Sequence, residues 1–137
     1  MKEYNMELKG SVKVRGIIFS GLGEGEFYVN LYAKNFRKAL GFTPFPGTLN
    51  IRIIEKDVEK LNSRLRKVDP IIILPPSIPG FKLGKVYLFR ASLFDIDVYI
   101  VRPEYTVYKG DVIELISQEH LRKKYTLKDG DIVDITV

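Results

Sequence analysis

Polar and apolar residues alternate early in the chain. Val12, Val14, Gly16 and Ile18 fall on one side and Lys13, Arg15 and Ile17 on the other, a period near two that predicts a strand ending at Phe19 and Ser20. Three alternate glycines in Gly21-Leu22-Gly23-Glu24-Gly25 interrupt it as a loop. The next run, Glu26 to Leu31, is rich in aromatic and β-branched residues and predicts a second strand leaving that loop. Ala33 to Leu40 changes period, with Phe36, Ala39 and Leu40 on one helical face and Gly41 as the stop. Pro44-Phe45-Pro46-Gly47 is a turn, Thr48 to Ile54 a strand, and Glu55 to Leu65 a helix with Val58, Leu61 and Leu65 as its apolar stripe.

Prolines then punctuate the chain. Pro70 and the cluster from Pro75 to Gly80 bracket the apolar run Ile71 to Leu74 and force turns on both sides of it. Lys85 to Leu93 and Ile96 to Val101 predict a hairpin about a tight polar bend. Val112 to Ile116 reads as a strand and Gln118 to Lys124 as a short helix. Asp131 to Val137 is a last strand, entered through the turn Lys128-Asp129-Gly130. Six or seven strands with few, short helices predict a mainly β fold, a closed β-barrel with short α-helical inserts. Residues 1–10 show no period and are expected to form a loose tail, and 11–137 a single domain.

Composition narrows the chemistry. The 137 residues contain no cysteine, which excludes disulfides, thiolate nucleophiles and Cys-based zinc sites, and the one histidine, His120, excludes His-rich metal centres. The formal charge of +5 suits a phosphate-bearing partner without naming one. No leader-like segment is visible at the N-terminus, and Ile71 to Leu74 is far too short to span a bilayer, so the expected location is the cytoplasm.

Three places could carry chemistry. The alternate glycines could let backbone N–H groups approach an anion, or could simply form a hairpin loop; no Gly-Lys-Ser/Thr follows, and the strand predicted after the loop argues against a dinucleotide fingerprint. In Pro46-Gly47-Thr48-Leu49-Asn50, positions two apart share a strand face. Thr48 and Asn50 could therefore offer two neutral oxygens to Mg²⁺, or form an ordinary polar face. Glu114 shares a face with Val112 and Ile116, where apolar neighbours raise a carboxyl pKa and suit a general base; the alternative is an exposed Glu on an edge strand. His120 reads as a helix-surface residue rather than a catalyst.

Taken as a set, Ser20 to Tyr28, Leu40 to Asn50 and Glu114 to Val133 resemble the archaeal CTP-dependent riboflavin kinases. The matching pieces are Ser-Gly-Leu-Gly-Glu-Gly, Leu-Gly-Phe with Pro-Gly-Thr-Leu-Asn, and Leu-Arg with Leu-Lys-Asp-Gly-Asp. The resemblance implies a six-stranded cradle-loop barrel and transfer of the γ-phosphoryl of CTP to the ribityl 5′-hydroxyl of riboflavin, giving FMN and CDP. It implies nucleotide contacts at Gly21, Leu22, Gly23, Glu24, Gly25 and Glu26 and again at Glu119, His120, Leu121 and Arg122. It further implies Mg²⁺ on Thr48 and Asn50 and flavin contacts at Thr106 and Glu114. A catalytic role for Glu114 is an inference from its surroundings.

Two departures from the family pattern stand out. Ser117-Gln118 replaces a frequent Ala-Pro, and the stretch from Glu26 to Ala39 is shorter than usual, which leaves the flavin-lining residues between Tyr28 and Phe36 unassigned. The expected partners are riboflavin or FMN and CTP or CDP, with no nucleic acid, no membrane and a monomeric state. The rival reading is an AbrB-like DNA-binding β-barrel module, suggested by Leu121 to Val133 and by the basic charge, but it leaves the glycine loop and the Thr48–Asn50 pair without a use.

Overall fold

The computed structural model describes residues 10–106 and 109–137; the tail expected over 1–10 lies almost wholly outside the described residues. Strands β1 (Lys13–Phe19), β2 (Leu49–Ile53), β3 (Ile71–Ile73), β4 (Val86–Leu93), β5 (Ile96–Pro103), β6 (Val112–Ile116) and β7 (Ile132–Thr136) form one antiparallel sheet. Its order is β3-β4-β5-β6-β2-β1-β7, and β7 returns to pair with the end of β4 through Ser92↔Thr136 and Leu93↔Ile135. That pairing closes a six-stranded barrel. The short β3 stays outside the ring, against the first residues of β4 (Ile71↔Leu88, Ile73↔Val86).

The alternation predicted for β1 is present: Val14, Gly16 and Ile18 are buried while Lys13, Arg15 and Ile17 face out. Gly16 lets β1 lie close on β2, for a Cβ there would come within 2.9 Å of the Arg52 carbonyl oxygen. Val14, Ile51, Ile100, Leu115 and Ile135 fill the barrel with essentially no exposed surface. Helix α3 (Glu55–Arg66) adds Leu61 and Leu65 to this core. It is tied to β1 where β2 runs out, because the Arg15 N–H donates to Asp57 Oδ2 at 2.9 Å and a backbone donor is thereby satisfied.

One predicted element is different. Glu26 to Leu31 is not a strand but part of helix α1 (Gly25–Leu31), followed directly by α2 (Ala33–Leu40). Aromatic and β-branched residues favour strands only when a pleated surface is there to receive them. Here the positions that bury are Val29, Tyr32 and Phe36, at helical spacings of three and four, while Phe27 and Tyr28 stay exposed. This stripe packs on Ile73, Val86, Leu88, Val101 and Ile116 as a second core outside the barrel. Each such large apolar side chain contributes on the order of 1.5–3 kcal/mol when fully buried, so tertiary packing overrides local preference. The glycine loop consequently does open a helix, contrary to the expectation.

The last predicted helix is also shorter. Only Leu121–Lys124 is helical (α4), with Gln118 and Glu119 in a bend and His120 at the helix entry. The Ser117 hydroxyl accepts the Glu119 N–H at 3.0 Å and so holds that bend.

Candidate active site

Helices α1 and α2, the segment before β4 and one end of β5, β6 and β2 enclose a cavity of about 230 Å³. One end is apolar and aromatic, lined by Tyr28, Val29, Tyr32, Phe36, Leu83, Val86 and Tyr105. The Tyr32 hydroxyl donates to the Gly84 carbonyl at 2.8 Å and fixes α1 and α2 to the segment before β4. Burial raises the Tyr32 pKa above the usual phenol value, so it remains a donor there.

The other end is polar and comes from the barrel wall. Asn50 on β2 lies opposite Glu114 on β6 in register, and the Thr48 hydroxyl precedes β2 by one residue. Thr48 Oγ1 sits 3.2 Å from Asn50 Oδ1 and 3.2 Å from Glu114 Oε1. Thr48 and Asn50 thus share a face as the spacing predicts, and Leu49 between them is buried in the core. Glu114 is not on an edge: β6 runs between β5 and β2. Desolvation raises its carboxyl pKa, and the hydrogen bond from Thr48 partly opposes the shift.

A second, smaller cavity of about 140 Å³ opens beside the first, between the turn before β2 and the entry to α4. Phe45, Gly47, Thr48, Ser117, Glu119, His120, Leu121 and Arg122 line it. His120 is exposed at the entry to α4, at the helix surface as expected, and its ring stacks on Phe45 with centroids 4.1 Å apart and planes 8° apart. Thr48 borders both cavities.

The structure brings most of the anticipated residues to these two spaces. Leu22, Gly23, Glu24, Gly25, Thr48, Asn50, Thr106 and Glu114 line the first, and Glu119 to Arg122 line the second. Gly21 and Glu26 line neither. Gly25 packs directly on Thr48: a Cβ at Gly25 would stand 2.5 Å from Thr48 Oγ1 and 3.1 Å from its backbone nitrogen. Arg122 is not an uncommitted cation, since its guanidinium pairs with Asp129 at 2.8 Å.

The sequence leaves the choice of cavity residues between Tyr28 and Phe36 open, and the structure selects Tyr28, Val29, Tyr32 and Phe36; nothing in the sequence indicates Tyr105 or Phe45. The helical spacing of Val29, Tyr32 and Phe36 was the available signal for the first group. Phe45 carries none, as its partner His120 lies 75 positions away in the chain.

The oxygens of Thr48 and Asn50, 3.2 Å apart, fit a hard divalent cation such as Mg²⁺. Among the described residues no group of three or more His, Cys, Asp or Glu side chains forms a metal cage, so any ion here would complete its shell from water or a ligand. No helix among them is long and apolar enough to cross a membrane.

Residues 18–137 match a family model named for CTP-dependent riboflavin kinase and described as domain of unknown function DUF120. The chain is similar to a riboflavin kinase of Aeropyrum pernix, 46% identical over 119 residues that cover 86% of this chain and 89% of that one. It is similar to a riboflavin kinase of Staphylothermus marinus, 40% identical over 126 residues and 92% of each chain. A riboflavin kinase of Archaeoglobus fulgidus is 41% identical over 131 residues, covering 94% of this chain and 56% of that one, so the chain spans little more than half of that longer relative.

Proposed function

This chain belongs to the riboflavin kinase family, and from that membership we propose that it transfers the γ-phosphoryl group of CTP to the 5′-hydroxyl of riboflavin, giving FMN and CDP. The observation that carries this reading is the position of Thr48. It borders both the aromatic cavity and the smaller cavity at α4 while touching the half-buried carboxyl of Glu114, so an acceptor and a donor seated in the two cavities would meet beside it.

In this reading the tyrosines and Phe36 receive the flavin ring, as flat aromatic walls suit a flat heterocycle. Thr106 and Glu114 contact the ribityl end. Glu114 orients the 5′-hydroxyl and accepts its proton as that oxygen bonds to the γ-phosphorus and the bond from phosphorus to the β-phosphate oxygen breaks. Its raised pKa brings it closer to the range of an effective base. The loop from Gly21 to Glu26 and the entry from Glu119 to Arg122 hold the nucleotide from two sides, with Gly25 abutting Thr48. Mg²⁺, when held by Thr48, Asn50 and the phosphates, supplies charge neutralisation for the transferring group. All other work is positioning.

The DNA-binding reading draws on Leu121 to Val133 and the basic charge and gives no role to Glu114, Thr48, Asn50 or the aromatic cavity. One assay separates the readings and tests the donor. Purified protein is incubated with riboflavin, Mg²⁺ and each of CTP, ATP, GTP and UTP in turn, and FMN is resolved by chromatography. FMN from CTP well ahead of the other three is expected. Equal rates with ATP would overturn the donor and leave the kinase standing, whereas no FMN from any nucleotide would overturn the kinase.

A further inference from the structure

Asp129 links two segments that the proposed reading assigns to the nucleotide. Its Oδ2 accepts the Ser20 hydroxyl at 2.7 Å, directly before the glycine loop, and its Oδ1 accepts Arg122 Nη2 of α4 at 2.8 Å. The same Arg122 nitrogen reaches the Phe19 carbonyl at 3.3 Å, so guanidinium, carboxylate and the end of β1 form a closed set.

The carboxylate is itself rigidly mounted. Gly130 N–H donates to the Ile18 carbonyl at 2.8 Å and Ile18 N–H to the Asp131 carbonyl at 2.9 Å, extending the pairing of β1 and β7 to the turn that carries Asp129. Asp131 Oδ2 accepts the Lys128 N–H at 2.9 Å, and Gly130 takes the positive φ of 92° that the turn demands. The Leu127 N–H donates to the Arg122 carbonyl at 2.8 Å, which joins α4 to the same turn.

This network has little to offer the fold energetically. Asp129 and Arg122 retain 53% and 32% of their side-chain exposure, and ion pairs so open to water are screened. Its distinctive property is geometric: it sets the start of the glycine loop and the cation of α4 relative to one another.

We propose that Asp129 is a positioning residue that holds the glycine loop and Arg122 in register for the nucleotide. The inference rests on the proposed nucleotide role of those two segments. Ser20 and Arg122 are also the leading causes that hold the Asp129 carboxyl below the ordinary carboxylate range, so it stays charged at neutral pH.

The test compares wild type with Asp129→Ala, Asp129→Asn and Ser20→Ala. Asp129→Ala should raise the KM for CTP roughly tenfold or more while riboflavin affinity, read from flavin fluorescence, changes less than about twofold. Asp129→Asn should recover part of the loss, because the amide can still receive Arg122 and donate to Ser20. A purely structural role would lower Tm and the yield of active protein and leave KM unmoved, and that outcome overturns the proposal. Should Asp129→Ala fail to fold, Ser20→Ala decides the matter, with a smaller rise in KM expected and an unchanged KM overturning it.

Amide hydrogen exchange on the ligand-free protein gives a reading independent of the kinase assignment. Leu22 to Gly25 should exchange roughly tenfold faster in Asp129→Ala, or in Ser20→Ala if that is the variant that folds. Unchanged exchange overturns the clamp, whereas a wild type that makes no FMN overturns the kinase reading and leaves the exchange result in force.

Discussion

Thr48 Oγ1 and Glu114 Oε1 stand 3.2 Å apart although 66 positions separate the two residues, and the pairing of β2 with β6 is what brings them together. The consequence is a carboxyl that is desolvated by its surroundings and held by one hydroxyl. Its environment suits proton transfer better than it suits a structural ion pair, for among the described residues no cation is within salt-bridge distance of it.

Glu114→Gln isolates the charge. Glutamine keeps the size of the side chain and an oxygen that can accept from Thr48, but cannot take the proton. Turnover should fall roughly 10²- to 10⁴-fold with riboflavin binding nearly intact. Single-turnover FMN formation and flavin fluorescence measure the two quantities. A loss of less than about threefold would assign Glu114 to holding the flavin alone.

Gly25→Ala should separate activity from stability. Its Cβ would meet Thr48 Oγ1 at 2.5 Å and the Thr48 backbone nitrogen at 3.1 Å, so either the loop or Thr48 must shift. Alanine is at the same time the better helix former, by about 1 kcal/mol in a helix interior and by less at Gly25, the first residue of α1. Activity should drop on the order of 10²-fold, as misplacements near 1 Å do, while Tm is held or rises slightly. Gly23→Ala is the contrast: its φ of 80° is strained for alanine, but nothing lies within 4 Å. It should cost about 1 kcal/mol of stability and, because the loop is assigned to the nucleotide, raise the KM for CTP more than it lowers turnover.

The barrel was legible in the sequence because its strands carry their signals locally. The alternation of Val14, Gly16 and Ile18, the punctuation by Pro70 and Pro75, and the bend at Phe94-Asp95 each mark an element within a few residues. The Thr48–Asn50 face followed from strand period alone. Helix α1 was misread because Phe27-Tyr28-Val29 has strand-like composition, and only the surface offered by Ile73, Val86 and Ile116 makes the spacing of Val29, Tyr32 and Phe36 decisive. The pairing of Arg122 with Asp129 and Ser20 was out of reach for another reason. It depends on how β1 and β7 register, and Ser20 and Asp129 are 109 positions apart.

A pH-dependent stability term is expected from Asp57. The Arg15 N–H is the main cause that lowers its pKa below the ordinary value; Lys60 assists, and burial works against the shift. A depressed carboxyl pKa means that the stabilisation is present above the unfolded-state pKa of about 3.9 and is lost as pH falls through the lower folded-state value. Asp134, Asp95 and Asp129 are shifted the same way, so wild type alone would not isolate the contribution. Asp57→Asn does: its Tm should lie below wild type at pH 7, and the gap should close as acid protonates Asp57. A gap that stays constant down to acid would show that shape rather than charge is at work.

The metal pair gives the sharpest test of the site. Thr48→Val keeps the shape of the side chain and removes its oxygen; Asn50→Ala removes the second oxygen from the same face, and Leu49 between them stays in the core. If Mg²⁺ is held here together with nucleotide phosphates, either change should lower turnover and raise the Mg²⁺ concentration for half-maximal rate by roughly tenfold or more. Thr48→Ser, which restores the hydroxyl, should return most of both. Riboflavin affinity should hardly move, because neither oxygen belongs to the aromatic end of the cavity. The double variant should be little worse than the weaker single one, since two ligands of one ion act as a unit and the first loss already disables it. Rates measured across a Mg²⁺ titration decide the point: unchanged metal dependence in both single variants would make Thr48 and Asn50 a polar strand face that orders Glu114, and would leave the nucleotide alone to carry the ion.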